Sequence, residues 1–179
     1  MVLEHRYDTP KRFVVGTVGE PGQRTFFLQA SDSGRVTSVA VEKQQVQLLA
    51  ERVNALLDEM MRARGGDPEI PALAPEDRLD TDPLETPIEE DFRAGTMTLA
   101  WDDESERVII EVFALDEDAE EDATSDEALV VVLTPADARA FCTRATQVVA
   151  AGRPGCEFCG EPMDPSGHLC PRMNGFRRR

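Results

Sequence analysis

Histidine is nearly missing from this chain: only His5 and His168 stand among its 179 residues. A Ser-His or Cys-His nucleophile therefore has little to draw on near neutral pH. Long apolar runs are missing as well. No stretch of about 18 apolar residues exists, which excludes a spanning helix, and the opening MVLEHRYDTPKRF has no apolar core of a secretory signal. These absences give the cytoplasm as the expected location. Four cysteines in a reducing compartment point to a metal site or free thiols rather than to disulfides.

Basic residues are scarce where acidic ones crowd. Positions 76–127 hold 21 carboxylates against Arg78, Arg93 and Arg107, a net of −18, so the rest of the chain carries +2 of the total −16. Such a field repels nucleic-acid phosphates. Only the last segment, ending in Arg177, Arg178 and Arg179, is an electrostatically plausible contact, and three terminal arginines are more often a solvated tail.

What is present is a core-forming chain, 41% hydrophobic. Segments 12–18 (RFVVGTV) and 25–30 (TFFLQA) are rich in β-branched and aromatic residues around turn formers, which predicts a hairpin. Segment 35–42 (RVTSVAVE) follows as a third strand whose two faces are not distinguished by polarity. From Lys43 the residues Val46, Leu49, Val53, Leu56, Leu57 and Met60 form the stripe of an amphipathic helix, stopped by Gly65 and Gly66. Five prolines among carboxylates make 67–91 an extended linker.

The first pattern then returns. Segments 92–101, 107–115 and 128–133 read as strands, with an acidic loop over 116–127 that has no large apolar side chain until its junction with the last strand. Thr134 and Pro135 open a second helix with Ala138, Phe141, Cys142, Ala145, Val148 and Val149 on its buried stripe. The expected fold is α+β: two βββα units, 1–66 and 92–152, forming a mainly antiparallel sheet with two helices. An internal duplication and a single mixed sheet built from common hairpins both give this order. Residues 153–179 add a C-terminal tail.

That tail carries the strongest local signal, PGCEFCGEPMDPSGHLCP. The Cys156-x-x-Cys159-Gly160 turn lets two thiolates converge, and His168 and Cys170, two apart in an extended stretch, face one side. Cys156, Cys159, His168 and Cys170 make a closed Cys3His set, the chemistry of a structural zinc knuckle. A redox dithiol and a metal-free tail are the alternatives. No catalytic residues are identified: Gly16-x-x-Gly19-x-x-Gly22 lies between two strands and lacks a following Lys-Ser/Thr pair, so it reads as a hairpin turn.

The blocks VGTVGEPGQRTFFLQA and CEFCGEPMDPSGHLCPRMNGFRRR resemble an actinobacterial family of unknown function with ParJ-like members. The resemblance implies no established enzymatic activity and, for ParJ-type members, association with the chromosome-partitioning ATPase ParA; it transfers no binding residues. Three functions follow as expectations: a non-catalytic zinc-containing interaction protein with another protein as partner, a ParA-type ATPase among the candidates; an enzyme or ligand-binding protein with a pocket between the halves, using the hairpin over 15–24; and nucleic-acid binding through the tail. Protein purified without added metal should carry about one zinc per chain, and Cys159→Ser should release it. Elemental analysis checks this, and less than about 0.2 equivalents with reduced thiols overturns the knuckle.

Overall fold

Valine, isoleucine and phenylalanine crowd the segments that fold as strands. The computed structural model describes residues 2–20, 22–66, 69–118 and 125–151. In chain order these form β1 (Leu3–Asp8), β2 (Arg12–Val18), β3 (Thr25–Asp32), β4 (Arg35–Val41), α1 (Lys43–Ala63), a short 3-10 turn (Glu76–Arg78), β5 (Phe92–Asp102), β6 (Arg107–Ala114), β7 (Glu127–Leu133) and α2 (Pro135–Ala150). The fold is α+β: two helices and a seven-stranded, mostly antiparallel sheet in the order β1-β7-β6-β5-β4-β3-β2.

Two antiparallel meanders, β2-β3-β4 and β5-β6-β7, meet at a parallel junction of only two residue pairs, Val39 with Phe92 and Ala40 with Arg93. Ser33 and Gly34, both at positive φ, close the β3–β4 hairpin in the sense that matches strand twist. The sheet is strongly curled. β1 is four places from β4 in the ladder, yet the Tyr7 hydroxyl lies 2.8 Å from Thr37 Oγ1 on β4, and His5 stacks with Phe92 at 6.2 Å. Arg35 donates to the Arg6 carbonyl and lies over the Tyr7 ring.

β1 was not expected from the sequence. LEHRYD has no alternating apolar pattern, and only Tyr7 of the strand is buried; it is held by backbone pairing in parallel with β7, Leu3 opposite Glu127 through Asp8 opposite Val132.

Both helices share one core with the sheet. Val46, Val53 and Leu57 of α1 and Ala138, Phe141 and Cys142 of α2 cluster with Val15, Leu28, Val39, Ile110 and Leu129. Gly65 and Gly66, at positive φ, end α1, and Thr134 Oγ1 accepts from the Asp137 N–H at the start of α2.

Residues 69–91, expected as an extended linker, are extended but packed as a strap. Ile70 joins the helix-side core, while Leu84 and Ile88 cover Val14, Phe27 and Ala40 on the opposite sheet face. That second cover explains why β4 shows no clean alternation: Val39 and Val41 face the helices and Ala40 faces the strap. Polar bonds fix the strap. Gln29 donates to the Glu85 carbonyl at 3.1 Å and accepts from its N–H at 2.8 Å, and Arg12 Nε donates to Asp80 at 2.7 Å.

Leu84 sits where Gly16 has no side chain. A Cβ added to Gly16 would stand 2.5 Å from Leu84 Cγ. Gly16→Ala should therefore destabilise by about 1–3 kcal/mol and Leu84→Ala by about 2–3 kcal/mol. In urea unfolding, the double variant should lose at least about 0.5 kcal/mol less than the sum, since the shortened side chain vacates the space. Additive losses would contradict this seating.

Candidate functional site

Strand lengths create a groove. β5 has 11 residues and β4 has 7, and β4 pairs only with the first two residues of β5 before the chain turns into α1. From Ala94 onward, one edge of β5 has no strand beside it among the described residues. α1 runs along that edge instead. At its start, Gln45 Oε1 accepts from the Glu42 N–H, while Nε2 donates to the carbonyls of Ala94 and Gly95. At its end, Arg64 pairs with Glu106 and lies over the Trp101 ring.

Between these two ties lies a groove of about 610 Å³. Its floor is Met97 and Leu99 of β5; its wall is Leu48, Leu49, Arg52, Ala55, Leu56 and Glu59 of α1. Leu48 is 51% exposed, a large apolar side chain turned to this space. The volume suits a small ligand or a short peptide.

A second cleft, about 60 Å³, lies beside Arg12, Asp80, Arg144 and Phe141 and has room for roughly two waters. Its charges are structural. Arg144 donates to the carbonyls of Val15 and Asp80 and to the Asp80 carboxylate. The hydrogen bond from Arg12 holds the Asp80 carboxyl below its usual range, and burial lowers the Arg144 pKa. Neither shift belongs to a group lining the large groove.

The residues singled out in the sequence are dispersed. Cys156, Cys159, His168 and Cys170 lie outside the described residues, and among the described residues no three His, Cys, Asp or Glu side chains converge as a metal site. Arg24, on the hairpin of the pocket reading, donates to the carbonyls of Val148 and Ala151 and so satisfies the end of α2. Cys142 is buried with its thiol pushed up to about 12 by desolvation, which makes it inert. His5 lies 2.7 Å from Glu127 on the neighbouring strand. Asp116, Glu117 and Asp118 are exposed.

The groove lies between the two βββα units, as the pocket of the ligand-binding reading would, but none of its lining residues was singled out for a site and the hairpin over 15–24 is not among them. Two signals were available: Leu48 falls beside the α1 stripe rather than on it, and the fourth and fifth strands differ in length.

A family model described as "Protein of unknown function (DUF3090)" matches residues 5–170. The chain belongs to this family. The DUF3090 match begins within β1 and takes in the whole of the sheet beyond it, both helices and the groove. No curated protein and no solved structure matches the chain. No helix among the described residues of this DUF3090 protein is long and apolar enough to cross a membrane.

If the groove wall is surface rather than core, Leu48→Ser should change stability by no more than about 0.5 kcal/mol. Leu49→Ala, one position away and only 5% exposed, should cost about 2–4 kcal/mol. Thermal or urea unfolding of the pair checks this; equal losses would mean that the groove is closed in solution.

Proposed function

We propose that this DUF3090 protein is a non-catalytic, zinc-containing interaction protein of the cytoplasm whose partner is a basic protein. The observation that carries the reading is the placement of its carboxylates. Asp103 and Glu104 stand exposed on the β5–β6 turn, Asp116, Glu117 and Asp118 after β6, and Asp82, Glu85 and Glu90 along the strap. These eight carboxylates belong to the −18 region, and those on the strap are held in place by the bonds of Arg12 to Asp80 and of Gln29 to Glu85. A field of this kind attracts a basic partner chiefly through the association rate, and salt weakens it.

Cys156, Cys159, His168 and Cys170 are the ligands proposed for the zinc. Three thiolates and a neutral imidazole leave a net charge of about −1 on the ion, a closed and structural set. An internal duplication is also part of the reading. β2-β3-β4-α1 and β5-β6-β7-α2 repeat the same order, and the third strand of each meander takes a parallel neighbour, β5 beside β4 and β1 beside β7.

A ParA-type ATPase is the partner suggested by the family resemblance, since its DNA-binding surface is expected to be basic. Binding to the cognate ParA is measured at two salt concentrations for the wild type and for a variant with Asp116, Glu117, Asp118, Glu120, Glu121 and Asp122 changed to Asn or Gln. The expected result is binding that weakens with salt and with the substitutions. Absence of binding removes ParA as the partner; binding indifferent to both removes the electrostatic mechanism.

A further inference from the structure

We infer that the groove between α1 and β5 takes an extended peptide segment of a partner protein, which adds as a strand to the free edge of β5. The inference deepens the reading of an interaction protein and rests on it. Three observations carry it. The first is the edge itself. Among the described residues, β5 beyond Arg93 pairs only with β6, and Gln45 takes just the carbonyls of Ala94 and Gly95. Alternate N–H and C=O groups over residues 96–100 are therefore left for a new strand, about 17 Å of ladder. Open edges are templates for pairing.

The second is the helix alongside. A strand entering between a sheet edge and a parallel-running helix receives main-chain hydrogen bonds from one side and apolar contacts from the other, the arrangement by which extended peptides are held in β-addition. Leu48, Leu56, Met97 and Leu99 meet the side chains that point inward. Successive strand residues face opposite ways, so the segment has apolar residues at alternate positions.

The third is charge, which decides the residues between them. Arg52 and Glu59 on the wall offset one another, while Glu111 stands opposite Thr98 on β6 and Asp103 and Glu104 are exposed at the far end, all three within the −18 region. Lysine or arginine at the outward positions complements this field, whereas a second copy of this chain brings the same acidic region against it. The occupant is thus a partner's basic segment with alternating apolar residues.

The test uses the full chain and three acetylated, amidated octapeptides that alternate lysine with valine, leucine or phenylalanine, with N-methylated and glutamate-containing counterparts as controls. Fluorescence anisotropy reads affinity, and hydrogen exchange reads the backbone. At least one lysine peptide is expected to bind below about 1 mM and to slow exchange over residues 96–100. Ala55→Trp, which fills the groove from an exposed helix position, should weaken binding by about tenfold or more, as should N-methylation. No binding by any of the three overturns the inference. So does slow exchange of 96–100 without peptide: a concentration-dependent case assigns the edge to a second copy, a concentration-independent one to the chain's own C-terminal segment. Binding that salt abolishes but Ala55→Trp leaves intact overturns the groove while the acidic-surface reading stands.

Discussion

The architecture depends on a complementarity between arginine and a proline-rich segment. Prolines remove N–H donors but keep their carbonyls, and a guanidinium supplies donors without acceptors. The strap between α1 and β5 is held in this way from both sides. Arg139, 4% exposed, donates to the Pro71 carbonyl, to Asn54 and to Asp58. Arg12 reaches the carbonyls of Asp82 and Pro83 as well as the Asp80 carboxylate, which Arg144 shares. Each of these cations, Arg139 buried and Arg12 and Arg144 partly so, has an anion beside it, the condition under which burial of charge is tolerated.

The strap in turn sets how β5 enters the sheet. Asp91 is bonded twice to Ser38: its N–H donates to the Ser38 carbonyl, and its carboxylate accepts from the Ser38 N–H, both at 2.8 Å. This fixes a parallel start near the end of β4. A strand that begins where its neighbour finishes must overshoot it, and the helix that continues β4 is carried along the overshooting edge. Groove and strap are therefore consequences of one junction, and the first cannot be rearranged without the second.

Much of the fold could be read from local pattern. The β-branched and aromatic runs gave β2 through β7, and the three- and four-residue recurrence from Val46 to Met60 gave α1. β1 was hidden because a parallel edge strand needs backbone pairing more than apolar side chains. The packing of the strap was hidden because prolines exclude ladder formation but not acceptance by their carbonyls. Arg139 was hidden because nothing in a helical stripe announces which charged residue turns inward. As for the site, the cysteine and histidine spacing marks candidate zinc ligands, but those residues lie outside the described part of the chain. The groove arises from a relation between two strands and a helix, and no single segment carries its pattern.

The parallel pairing of β1 with β7 has a bearing on synthesis. Leu3 meets Glu127, and Tyr7 meets Val131, so β1 leaves the ribosome with no ladder until more than a hundred further residues have followed. At about 5–20 residues per second this is a wait on the order of ten seconds. During it the β2-β3-β4 hairpins, whose contacts are local, can already close, while β1 stays outside them. Tyr7, 1% exposed in the finished molecule, spends that interval in water.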